Sequence, residues 1–363
     1  MHTMNSQFDE LLKSIRADIK TFIIFSPINL AVERKRFFKS NFYNPQLVYP
    51  AIETDELKSA QNKLHKIKLH PDSSLENRIF NDRIRETKLK LRLFLSIGDP
   101  NKITRISQKL YQCKFDQESI RKAKYDANSD GVFSPQENFS AKEFRSELKN
   151  YLEKYGLRKW KVRIKKDADF YIQIRHKKEL IIINEDLNWD FNSLDSALAH
   201  EIDGHVVRAI NAIKQDTETF QNSLPFYIKT EEGLASYLGD YCAEGGKLAL
   251  KHHAIKYLGG YIALHNSFRE VYNFFIDNGF TPNLAFQRAF RLKRGFIDTS
   301  SPGVFAREAI YYEGMLEVKK YIEEGGSIRK LFAGKVGLKD LKYIPVPKDI
   351  IIPNRIQSKA QIS

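Results

Sequence analysis

Residues 198–207 read LAHEIDGHVV, and three side chains in this stretch can bind a metal or move a proton. His200 and His205 bracket Glu201 in the order H-E-x-x-x-H, one position longer than the H-E-x-x-H of a regular zinc-binding helix. Positions four apart on an α-helix differ by about 40° around its axis, and positions five apart by about 140°. In a regular helix the two imidazoles therefore diverge, and the pair reads as two unrelated histidines of a buried helix. A π-type turn, with i to i+5 hydrogen bonding, brings positions five apart back to one side. Gly204 stands where such a turn would fall, and glycine gives the backbone extra freedom there.

Two histidines lack a third ligand. Catalytic zinc commonly takes three protein ligands and keeps a fourth position open, and His-His-Glu is one such set. The later stretch TEEGLASYLGDY begins at Thr230 and supplies Glu231 and Glu232. Without any metal, Thr230 caps a helix there and both acids favour the positive end of its dipole. Gly233 follows directly and lets a second backbone approach closely.

LAHEIDGH followed by TEEGLASY resembles the zinc tyrosine/phenylalanine carboxypeptidases, a family that includes bacterial proteins and the eukaryotic microtubule-associated tyrosine carboxypeptidases. Its hallmarks are H-E-x-x-x-H and a later E-G-L-A. The resemblance implies zinc held by His200, His205 and Glu232, with Glu201 as general base. Glu231 falls where relatives often carry glutamine and is not chosen. Weaker likenesses extend over residues 16–345: SPINLAVERKRFF, NPQLVYP, KITRISQKLYQ, RAINAIKQ, RLKRGF and FAREAIYYEG. Ala306, Glu308 and Glu313 replace the family's threonine, aspartate and basic residue, changes expected on the substrate side.

The implied chemistry is peptide hydrolysis by metal-activated water. Glu201 would take the proton of the attacking water and pass it to the leaving amine. Tyr311, matching the family tyrosine, is the candidate oxyanion donor, with Tyr312 as the alternative. A carboxypeptidase must also hold a free carboxylate, which arginine does through two parallel hydrogen bonds. Arg291, Arg294 and Arg307 lie in the segments that resemble the family's C-terminal stretches, and each also reads as a solvated surface arginine.

A second metal signal is DANSDGVFSPQE at residues 126–137, which fits the calcium-loop pattern D-x-[DN]-x-[DN]-G-x5-E. Asp126, Asn128, Asp130 and Glu137 would offer side-chain oxygens, Val132 its carbonyl, and Gly131 the turn. The same residues make an ordinary polar turn. If calcium binds, its expected role is structural.

The elements that must position these residues are mostly helical. Residues 1–25 suit an amphipathic helix, and a second helix follows Pro27. Helical spacing runs from Thr54 to Leu95 and stops at Gly98-Asp99-Pro100, with shorter helices near 102–112 and 116–125. A helix capped at Ser140 ends at Gly156. WKVRIKK, FYIQIRH and ELIIIN then read as strands, and helix returns from Asn192 or Ser193. The expected fold is α+β and mostly helical: a helical N-terminal region (1–140), a zincin-like metallopeptidase core with a small sheet (141–345) and a loose tail (346–363) rich in proline.

Lys and Arg outnumber Asp and Glu by 59 to 45, a formal charge of +14 that suits an acidic partner such as an acidic protein tail. No nucleic-acid module is recognisable, and no stretch is long and apolar enough to span a bilayer. Two cysteines imply no disulfide framework. Location in the cytoplasm is expected, or export without a signal peptide. Three functions compete: a zinc carboxypeptidase acting on a peptide or protein C-terminus, a zinc endo- or aminopeptidase, and a non-catalytic polyanion-binding protein.

Overall fold

Helical and alternating patterns resolve into helices and one small sheet. The computed structural model describes residues 25–51, 54–67, 69, 74–129, 140–166, 172–175, 178–185, 194–243 and 246–356. In chain order come α1 (Leu30–Phe38), α2 (Thr54–His65), α3 (Leu75–Phe94), α4 (Pro100–Tyr111), α5 (Gln117–Ala127) and α6 (Ala141–Lys154). Strands β1 (Lys161–Lys165), β2 (Ile172–Arg175) and β3 (Leu180–Asn184) follow. α7 (Leu194–Leu198) runs through a π-helix (Ala199–Val206) into α8 (Val207–Ile213). Next are α9 (Glu218–Gln221), α10 (Ile228–Tyr237), α11 (Gly246–Ala263), α12 (Phe268–Asp277), α13 (Pro282–Leu292), α14 (Ile310–Glu323) and α15 (Ile328–Phe332).

The α+β, mostly helical class expected from sequence is the one observed. The helical stretch from 54 to 95 is two helices, because Ser74 starts a new one by accepting from the Asn77 N–H at 3.4 Å. The helix expected over 1–25 lies outside the described residues apart from Phe25, as do Asn192 and Ser193. Among the described residues no helix is long and apolar enough to cross a membrane.

Contacts group the chain into two units that interleave along the sequence. The first takes residues 1–110, 259–274 and 282–307. Its core is aromatic: Phe37 meets Phe268 and Phe286 at ring-centroid distances of 5.1 and 5.2 Å. The fully buried Lys293 donates to four backbone carbonyls, of Ala263, Asn266, Ser301 and Gly303, at 2.6–3.0 Å. That cage ties the end of α11 and the 301–303 loop to one ammonium.

The second unit takes residues 111–258, 275–281 and 308–363 and holds the sheet, in order β1-β3-β2. β1 pairs parallel with β3, setting Val162 opposite Ile181 and Ile164 opposite Ile183, and β2 pairs antiparallel. Phe144, Leu148 and Leu152 of α6 pack with Val162, Ile181 and Ile183 against Leu198, Ile202 and Val206. The helix bearing the histidines is thus seated on the sheet by its apolar side. Apolar burial of this kind is worth roughly 1.5–3 kcal/mol per large side chain.

The C-terminal stretch is not loose as far as Ile356. The Asn211 side chain donates to the Ile351 carbonyl at 2.7 Å and accepts from the Ile351 N–H at 2.9 Å. Gln215 donates to the carbonyls of Ala333 and Pro345 at 2.6 and 2.8 Å. Prolines that suggested looseness sit in a segment whose backbone is bonded by side-chain amides from the helix in front of it.

Candidate metal centre

The π-helix Ala199–Val206 carries the H-E-x-x-x-H stretch, as the spacing requires. One inserted residue makes His200 and His205 count as four apart, about 40° around the axis. Gly204 has a steric reason beyond flexibility. A Cβ there would lie 2.5 Å from Ala235 Cβ, so its absence lets α10 press against the π-helix. Gly233 does the same one layer on: a Cβ would fall 2.2 Å from the Gly314 carbonyl carbon, so α10 and α14 meet backbone to backbone.

These approaches bring Glu232 to the histidines. Its Oε2 lies 3.7 Å from His200 Nε2 and 3.5 Å from His205 Nε2, and one ligand atom from each of the three residues lies within 4.8 Å of the other two. Ligands at about 2.0–2.2 Å from a tetrahedral zinc lie about 3.4 Å apart. The donor set and spacing therefore fit a zinc ion. Burial resists charge on Glu232, yet hydrogen bonds from both histidines hold its carboxyl well below the usual range. Glu201, beside His200, is raised by burial, with the two imidazoles opposing. That direction suits a carboxylate that must accept a proton near neutrality.

Glu231 is part of the site, although sequence reasoning passed over it. His205 Nδ1 lies 3.2 Å from Glu231 Oε1, which fixes the tautomer and leaves Nε2 for a metal. Glu231 also pairs with the buried Arg208 at 2.5 Å and with Lys335 at 2.9 Å. Burial works against charge on His205, but hydrogen bonds to Glu231 and Glu232 push its imidazole up to about 10.

Tyr311, at the start of α14, faces the His200 ring at a centroid distance of 6.1 Å and 13° between planes. On its other partner, His253, it stacks at 6.1 Å and 25°. His253 Nδ1 lies 2.8 Å from Asp240 Oδ2, and both residues are buried. Burial raises Asp240 and lowers His253. Lys256 Nζ sits 5.5 Å from the Tyr311 ring centroid. Nothing in the spacing of His253 or Lys256 marked them, because α11 reaches the site only through tertiary packing. Tyr312 is fully buried and donates to Asp126 Oδ2 at 2.6 Å, which leaves Tyr311 as the tyrosine beside the triad.

Of the other expected residues, Arg291, Arg294 and Arg307 are grouped with the first unit and the triad with the second. Arg294 lies over the Phe290 ring at 5.3 Å. Glu313 is a buried structural acid: its Oε1 accepts from the N–H groups of Lys114 and Phe115 and from Tyr257 OH, at 3.0–3.2 Å. The expected calcium ligand Asp126 is buried with Oδ1 bonded to Lys122 and Oδ2 to Tyr312, both at 2.6 Å, so both oxygens already serve the helices. Asn128 ends α5 through its backbone, while Asp130, Val132 and Glu137 lie outside the described residues.

Similarity to known proteins fits this geometry. The candidate tyrosine carboxypeptidase MATCAP2 of Mus musculus is 30% identical over 168 residues, covering 44% of this chain and 32% of that protein. Microtubule-associated tyrosine carboxypeptidase 1 of Homo sapiens is 26% identical over 155 residues, 42% of this chain and 32% of that protein. The matched stretch thus spans about a third of these relatives' length. The family model described as microtubule-associated tyrosine carboxypeptidase matches residues 35–349, and by that match the chain belongs to the microtubule-associated tyrosine carboxypeptidase family.

Proposed function

We propose that this chain is a zinc-dependent carboxypeptidase that removes one C-terminal residue, Tyr or Phe, from a peptide or protein. The supporting observation is the triad of His200, His205 and Glu232 at ligand spacing, with His205 partly buried between two buried ligands, Glu201 in the histidine helix and Tyr311 beside His200. Zinc, when bound, supplies Lewis acidity toward the scissile carbonyl and the attacking water. Glu201 takes the water's proton and delivers it to the departing amine. The Tyr311 hydroxyl donates to the oxygen that gains charge. Glu231 keeps the His205 ring in one tautomer throughout.

The +14 charge suits a substrate with an acidic tail. Both cysteines are free, in keeping with work in a reducing compartment such as the cytoplasm. Elemental analysis should find about one zinc per chain. Mass spectrometry of peptides with varied ends should show loss of a single C-terminal Tyr or Phe from free acids and none from amides. Internal cuts, or equal cleavage of amides, would point to another peptidase specificity; zinc-free, inert protein would leave polyanion binding. Replacing Arg291, Arg294 and Arg307 singly by alanine identifies a carboxylate-binding arginine, since only its loss equalises acid and amide.

A further inference from the structure

The back of the metal-binding helix carries two acids with no place in the chemistry above. Asp203, fully buried in the π-helix, accepts from the Tyr151 OH of α6 at 2.7 Å and from the OH of Tyr155, the C-cap of α6, at 2.6 Å. Asp195 lies eight positions earlier, in the first turn of α7. Arg355 joins them. Its Nε donates to Asp203 Oδ2 at 2.6 Å, and its Nη1 and Nη2 donate to the two Asp195 oxygens at 2.8 and 2.9 Å.

The bridge depends on helix register. Positions eight apart on a regular α-helix differ by about 80° around the axis. One inserted residue makes them count as seven, about 20° from alignment. The same insertion lets His200 and His205 face one ion. A planar guanidinium with a fixed fork therefore finds both carboxylates in the register the metal needs. Arg355 lies beyond the residues 35–349 matched by the family model, whereas Asp195 and Asp203 lie within them.

We propose that Arg355 is a positioning residue for the metal centre, holding the helix in its π register by tying Asp195 to Asp203 and so setting His200, Glu201 and His205. The inference rests on the zinc carboxypeptidase reading, yet its first readout is metal affinity and not cleavage.

The test compares R355A, R355K and K214A in the full chain. Lys214 holds the same C-terminal segment by donating to the Asp349 carbonyl at 2.6 Å, without touching Asp195 or Asp203. Zinc affinity is read by chelator competition, cobalt(II) spectra report ligand geometry, and kcat and KM are measured separately. R355A should lose about ten- to a hundredfold in zinc affinity, as removal of outer-shell support does. Its cobalt spectrum should shift, and kcat should fall with KM within about twofold. R355K should behave like R355A, because an ammonium lacks the fork, and it serves if R355A does not fold. K214A should match wild type. Wild-type zinc affinity and spectrum in R355A or R355K would overturn the proposal, as would an equal loss in K214A. Wild type that binds zinc but cuts no peptide defeats the carboxypeptidase reading and leaves affinity to decide Arg355. Wild type that binds no zinc defeats both.

Discussion

His205 and Glu231 meet through Nδ1 and Oε1 at 3.2 Å, and the same carboxylate is the counter-ion of Arg208, a guanidinium with no exposure to solvent. One side chain thus orients a metal ligand and neutralises a buried cation. Glu231→Gln keeps an acceptor for His205 but leaves Arg208 short of its charge partner. Unpairing a buried ion pair costs about 3–5 kcal/mol. The melting temperature should fall, and zinc affinity should drop about ten- to a hundredfold. Lys335 loses the same counter-ion and cannot replace it, so an unchanged melting curve would show that Arg208 does not depend on this charge.

The raised imidazole of His205 gives a pH signature. Its folded value, about 10, lies above the ordinary 6.5, so its stabilisation of the metal-free chain is complete below about pH 6.5. It is lost as pH rises toward 10, at up to about 1.4 kcal/mol per unit. Subtracting the profile of His205→Asn isolates this contribution from other titrating groups. Zinc competes for the same proton, so its apparent affinity should rise about tenfold per pH unit between roughly 7 and 9. A flat difference profile would remove the proton from this ring.

Glu201→Gln should retain zinc while turnover falls about a hundred- to ten-thousandfold, the usual worth of a general base. An amide offers no site to take a proton at this pH. Metal content and kcat measured on one preparation decide it. Loss of zinc together with activity would make Glu201 a ligand or a folding residue.

Gly233→Ala places a carbon 2.2 Å from the Gly314 backbone, which a flexible side chain cannot relieve. The expected loss is about 3 kcal/mol or more, with weaker zinc binding as Glu232 is displaced. Gly239→Ala is the milder comparison, since its new carbon meets the Ser196 hydroxyl at 3.1 Å. Denaturant unfolding of the two variants should rank them in that order, and equal losses would show that α10 and α14 separate easily.

Local pattern made part of this legible. Strands near 161, 172 and 180 follow from alternation and β-branching, and the π-turn follows from asking two histidines five apart to serve one ion. Glu231 escaped because dipole, capping and pairing all favour an acid at that position, so its type alone says little. Asp240 and His253 are thirteen residues apart on separate elements, and no spacing rule joins them. The proline-rich end misled because prolines describe the local chain, whereas docking is decided by Asn211, Gln215 and Lys214 far upstream.

The inserted residue of the π-helix is absorbed within it, so the helix beyond keeps its phase. The eight positions from His200 to Arg208 count as seven, about 20° from alignment. Arg208, Asn211 and Gln215 therefore meet the carbonyls of Val336, Phe332 and Ala333 from a chain already back in α-helical phase. Deleting one position to recover H-E-x-x-H would leave that phase unchanged, whereas adding one without a second bulge would turn every later side chain by about 100°. The motif tolerates shortening in angle and resists lengthening, which parts the two imidazoles.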